Sequence, residues 1–294
     1  MVPGLEPYAG RLAELETLDP HACLSLLNRW AHDRALHTEA GRPVRFVDAA
    51  SRPAGGVGGA GSAGSAGGAG GAGGGAGGLA YERGIAASGE VPTRTRGPGV
   101  RHDLLNALVW LRFPRTKARL NAIHAAVLEA HGMGSNGVGA ARAGVRAGVR
   151  GSVRDAVTLF DESGAVWVGE DAGLREALRR LDWHGLFVAG RDRLARSVSV
   201  HVVGHGLLHK LQAPYKGVTA HALTLDAPAA VGAGELDALL AARLGAGPLA
   251  AGTLCPLPVM GLPGWCAANE DPAFYNDPAV FRAARTRNRC PEEP

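Results

Sequence analysis

The chain has 294 residues, 46% of them apolar and 20% charged, with a formal net charge of +4. That apolar content is ample for a packed core, while so small a net charge falls short of the concentrated basic face of a dedicated nucleic-acid binder. Apolar runs such as Val198–Leu208 are broken by His and Gly well short of the roughly 20 residues of a membrane span, so neither a nucleic acid nor a membrane is an expected partner.

The 28 Arg against 3 Lys, with abundant Gly and Ala, match the codon bias of a GC-rich bacterium and carry little functional meaning. Cys23, Cys255, Cys266 and Cys290 form no C-x-x-C pair, which removes a zinc ribbon or a thioredoxin-type motif and fits reduced thiols. The opening MVPGLEPYAGRLAELE lacks the basic-then-apolar pattern of a secretory signal, so a cytoplasmic location is expected.

In chain order, Asp19-Pro20 opens a helix reaching about Leu36, with Leu24, Leu27 and Ala31 on one face. Val44–Val47 reads as a strand. Residues 55–78 hold 15 Gly in 24 positions and cannot bury anything, which makes them an insertion. His102–Phe113 and Pro114–His131 read as consecutive helices, the second placing Leu120, Ile123 and Val127 together. Residues 131–151 form a second Gly-rich insertion, in which Arg142, Arg146 and Arg150 recur every four residues, a spacing that Arg154 continues just beyond it. Its glycines favour a solvated loop over an Arg stripe gripping phosphate.

Asp155–Phe160 alternates and passes through Glu162-Ser163-Gly164 into Ala165–Val168, the outline of a β-hairpin. A helix over Ala172–Leu181, a short strand Leu186–Val188 and a long helix from Asp192 to before Pro214 follow. Val218–Leu225 is strand-like, Glu235–Leu244 helical, Pro256–Pro272 extended, and Pro278–Arg285 a last helix. The expected class is α+β: a mostly helical single domain, 1–294, with a small sheet and flexible insertions at about 50–79 and 132–152.

The strongest local signal is His201-x-x-x-His205-x-x-x-His209. Residues four apart on a helix share a face, so two such imidazoles can chelate one divalent metal. His221 could complete the set, with oxygen from Asp155 or Asp161, although such spacing without the Glu of H-E-x-x-H also arises by chance among 11 His. Asp161 and Glu162, at the tip of the expected hairpin, could act as general base or ion ligand, or simply as polar turn residues. His102, followed by Asp103, could act as acid or base, or merely open a helix. Lys216, one of three lysines, could stabilise developing negative charge or fill a place guanidinium does not fit. The chain contains no G-x-S-x-G elbow, Walker loop or dinucleotide fingerprint.

Tyr81-Glu82, Val91-Pro92-Thr93-Arg94, HDLLNALVWLRFPRTKARLN (102–121), RDAVTLFDESGA (154–165), GHGLLHK (204–210), PYKGVTAHAL (214–223), PLPVMGLPGW and FYNDPAVFR together resemble the proteobacterial family named domain of unknown function 3025. The resemblance runs from about residue 20 to 285 and implies no established activity. Against the family pattern, His209 stands where Glu is typical and Gly206 where Ala is typical. Two functions are consistent with these residues. One is a non-enzymatic binding or regulatory domain with a polar His-rich pocket, anchored by exposed Trp265 and Tyr275. The other is a metal-assisted hydrolase with His205, His209 and His221 holding the ion.

Overall fold

The computed structural model describes residues 1–51, 76–132 and 153–282, so the two expected insertions lie largely outside the described residues. Its contacts divide the chain into two compact units, Arg11–Val157 with Leu240–Pro248, and Met1–Gly10 with Thr158–Leu239 and Leu249–Pro294.

The first unit takes in the second half of α1 (Glu6–Glu16), followed by α2 (Pro20–Asp33). The Asp19 carboxylate accepts from the His21 and Ala22 N–H groups and Pro20 takes the first turn, as the sequence anticipates. Asn28 then ties α2 to β1 (Arg45–Asp48), accepting from Phe46 N at 2.8 Å and donating to Phe46 O at 2.8 Å. α3 (Ala76–Ser88) ends at Gly89, whose φ of +75° admits glycine readily, and β2 (Glu90–Thr93) runs parallel to β1. α4 (Val100–Arg112) buries Leu104, Leu105 and the run Ala107–Leu111, which makes it the unit's central helix. α5 (Pro114–Gly132) follows, opened by the expected proline. Asp103 on α4 accepts three bonds from Arg94, from its backbone N at 2.9 Å, Nε at 2.8 Å and Nη2 at 2.8 Å, and so clamps the loop between β2 and α4.

The second unit carries a four-stranded sheet in the order β4-β3-β5-β6. α6, residues 153–163, leads directly into β3 (Gly164–Val168), all five of whose residues are buried. This corrects the expected hairpin: Ala156, Val157 and Phe160 are fully buried at helical spacing, so Asp161 and Glu162 lie in the last turn of a helix. α7 (Ala172–Arg180) is capped by Asp171. Where a strand over Leu186–Val188 was expected there is a π-helical turn, Gly185–Ala189, which turns Phe187 into a stack with Trp183 and Tyr275.

The expected long helix from Asp192 is three elements, α8 (Arg191–Ser197), β4 (Ser199–Val202) and α9 (His205–Lys210). The alternating Ser-Val-Ser-Val-His-Val of 197–202 prefers an extended backbone, and Gly204 ends it. β5 (Thr219–Leu225) pairs parallel with β3, while β4 on β3 and β6 (Cys255–Pro258) on β5 pair antiparallel. α10 (Ala233–Gly245) lies between β5 and β6 in sequence. Residues 278–282 form a turn where a helix was expected. The α+β class stands, and among the described residues no helix is long and apolar enough to cross a membrane.

Candidate functional site

Glycine makes the site in the second unit. A Cβ on Gly164 would lie 2.6 Å from the Phe160 ring, and one on Gly204 would lie 2.5 Å from the Gly164 nitrogen. The two glycines therefore let the start of α9 sit directly on the joint between α6 and β3. The Gly164 carbonyl accepts from Val203 N at 3.1 Å and Gly204 N at 2.8 Å. This close approach brings His205, the first residue of α9, against the last turn of α6.

His205 is buried, with 6% of its surface exposed, between two carboxylates. Asp161 Oδ2 stands 3.8 Å from Nδ1 and Glu162 Oε1 stands 3.5 Å from Nε2. Two ligands bound tetrahedrally to one ion at about 2.0–2.1 Å stand about 3.4 Å apart, so Nε2 and Oε1 have the spacing of a ligand pair. Glu162 and His205 each offer a metal-capable atom, and the Glu162 side chain remains 48% exposed, which leaves the position open to water. Asp161 lies on the opposite side of the ring, where metal-bound histidines ordinarily meet a carboxylate that orients them. Gly206 contributes room, since a Cβ there would lie 2.5 Å from Glu162 Oε2.

His221 comes to the same joint from β5. Its Cα partner across the parallel pair is Gly164, and its Nδ1 lies 3.0 Å from Ser163 Oγ, which also donates to the Leu159 carbonyl at 3.0 Å. Burial, reinforced by Lys210, lowers the pKa of the His221 ring. Ser163 was not singled out from sequence. Its signal would have been the helical stripe of Ala156, Val157 and Phe160, which puts Ser163 at the helix end beside the carboxylates.

The remaining candidates are placed elsewhere. His201 is on β4, not on a helix with His205, and its Nε2 lies 3.0 Å from Ser199 Oγ. His209 is exposed at the end of α9. Asp155 is exposed and pairs with Arg154 at 3.5 Å. Among the described residues, none of His209, His221 and Asp155 joins a group of three convergent metal-capable side chains. Lys216 has a carboxylate partner, Asp277 at 3.1 Å, whose pKa it lowers, and lies 4.5 Å from the Phe274 ring centre. It therefore pins the segment after β6, which explains a lysine among arginines without an anionic ligand. In the first unit, His102 is half-buried in the first turn of α4, and the carboxylate beside it, Asp103, is engaged by Arg94. Trp265 and Tyr275, expected as exposed anchors, are buried; the Tyr275 hydroxyl, with one hydrogen to donate, lies 2.9 Å from the Gly261 carbonyl and 3.0 Å from the Asn269 carbonyl.

An α+β protein whose four-stranded unit holds an imidazole between two carboxylates is the class defined by fold and site together. The chain belongs to the family described as "Protein of unknown function (DUF3025)", whose model matches residues 73–285. The match confirms the family resemblance, although it begins later than the expected residue 20 or so. No curated protein and no solved structure matches the chain.

Proposed function

We propose that the chain is a metal-assisted hydrolase whose divalent ion is held by Glu162 and His205. The observation that carries this reading is the 3.5 Å separation of Glu162 Oε1 from His205 Nε2 at a buried imidazole, with Asp161 on the far side of the ring. Because the Glu162 side chain is 48% exposed, the ion's remaining positions would fall to water, whose pKa a zinc-like ion would lower to about 7. Asp161 takes the role of orienting His205. His209 and Asp155 are exposed and have no part in it. The binding-module reading loses support with its aromatic anchors, both of which pack inside.

The test is a zinc titration of chelator-treated protein, followed by calorimetry and thermal unfolding. One equivalent of saturable binding is expected. At zinc 100-fold above Kd the folded state gains about 2.7 kcal/mol, which raises Tm by about 5–8 °C. Glu162→Gln and His205→Gln should each lose that rise while keeping the metal-free Tm within a few degrees. Absence of stoichiometric binding by the wild type overturns the proposal, and so does retention of full affinity in both variants.

A further inference from the structure

We propose that Ser163 is a positioning residue that fixes the tautomer of His221, so that Nδ1 carries the proton and Nε2 is the proton-accepting nitrogen. A serine hydroxyl has one hydrogen and two lone pairs, whereas a backbone carbonyl can only accept. Ser163 Oγ lies 3.0 Å from the Leu159 carbonyl and 3.0 Å from His221 Nδ1. Its single hydrogen goes to the carbonyl, so the contact with the ring is made by Nδ1–H donating to Oγ. In a neutral ring the lone pair is then on Nε2. The low pKa of the buried ring keeps it neutral near pH 7.

The same count excludes a Ser163–His221 nucleophile and base pair in this arrangement. There the hydroxyl would have to donate to the ring, and its hydrogen is held by Leu159 four residues back along α6. What remains is a base without a covalent step. Ser163 directly follows Glu162, so the ring it orients hangs on the joint that carries the proposed metal ligand. Nε2 is the nitrogen available to take a proton from water activated there. That last use rests on the proposed metal centre; the tautomer does not.

The experiment is a two-bond proton–nitrogen correlation spectrum of the 15N-labelled full chain, without metal, at pH 7.5, with His221 assigned by its loss in His221→Gln. The expected wild-type signature is a protonated Nδ1 and an unprotonated Nε2. Ser163→Ala should shift the ring toward the Nε2–H form that free imidazoles prefer, and Ser163→Thr, which keeps the hydroxyl, should restore the wild-type pattern. A wild-type ring with Nε2 protonated, or an unchanged pattern in Ser163→Ala, overturns the proposal even if zinc binds. Conversely, the expected pattern in a protein that binds no zinc leaves the tautomer established and defeats only the metal reading. With zinc bound, His221→Gln should retain one equivalent of metal; its loss would make Nε2 a ligand and overturn the proton-accepting role.

Discussion

Replacing Gly164 by alanine tests the joint on which the site is built. The added Cβ would fall deep inside the contact distance of the Phe160 carbonyl oxygen and lie 2.6 Å and 2.9 Å from two carbons of the Phe160 ring. Ordinary contact needs nearly 1 Å more from the ring, and the carbonyl belongs to the last turn of α6, so relief comes only by opening that turn or pulling β3 away. Either motion also strains the bonds from Val203 N and Gly204 N to the Gly164 carbonyl. Overpacking of this kind costs about 3 kcal/mol, equivalent to a Tm loss of about 6–10 °C in a chain of this size. Gly234, at the start of α10 with nothing within 4 Å of its would-be Cβ, is the control. Its alanine variant should be neutral or gain up to about 1 kcal/mol from helix propensity. Urea unfolding followed by circular dichroism measures both, and the zinc titration repeated on Gly164→Ala should show weaker binding, because His205 and Glu162 meet across the displaced joint. A Gly164→Ala protein within about 0.5 kcal/mol of wild type, with unchanged zinc affinity, would refute the account of how the site is formed.

Asp161→Asn should weaken zinc binding by about 10–100-fold, the usual effect of removing an orienting partner from a metal-bound histidine; unchanged affinity in calorimetry would deny Asp161 that role. Asp103→Asn, which loses the charge held by Arg94, should cost about 2 kcal/mol in urea unfolding. That is less than the 3–5 kcal/mol of a fully buried pair, because the Arg94 side chain keeps 28% exposure; a loss under 0.5 kcal/mol would contradict the clamp. His221 predicts a pH dependence. Its folded pKa lies below the unfolded value of about 6.5, so the unfolded state binds more protons in the window below 6.5 and stability falls as pH drops through it toward the folded value. Unfolding midpoints between pH 7.5 and 5 should decline more steeply for wild type than for His221→Gln, and parallel declines would refute it.

Helices with local start signals were legible. Asp19-Pro20 and Pro114 announce α2 and α5 by chemistry confined to a few residues, and β1 and β5 lie within a residue or so of their expected places. α6 was not legible, because Asp155–Phe160 satisfies a strand alternation as well as a helical stripe. The choice is made by packing: Ala156, Val157 and Phe160 are all fully buried, and the close passage of Gly164 over Phe160 needs the helical turn. The long helix expected after Asp192 failed for a related reason. A spacing of four between histidines shows a shared face only if the segment is helical, and His201 precedes a glycine that separates strand from helix.

The residues of the candidate site were visible as types, and their grouping was not. Asp161, Glu162, His205 and His221 were all chosen from sequence, but His205 was matched with His209, its neighbour on the helix, when its closest carboxylates come from a segment more than 40 positions earlier. What joins them is Gly164, Gly204 and Gly206, each filling no space so that backbone or the Glu162 carboxylate can occupy it. In a chain with 44 glycines, three structural ones carry no distinguishing mark. Composition that makes glycine cheap thus hides the positions where glycine is required. Parallel register supplies the remaining contact, since pairing Gly164 with His221 across β3 and β5 is what delivers the imidazole to Ser163, and a parallel pair joined through more than 50 intervening residues has no local sequence signature.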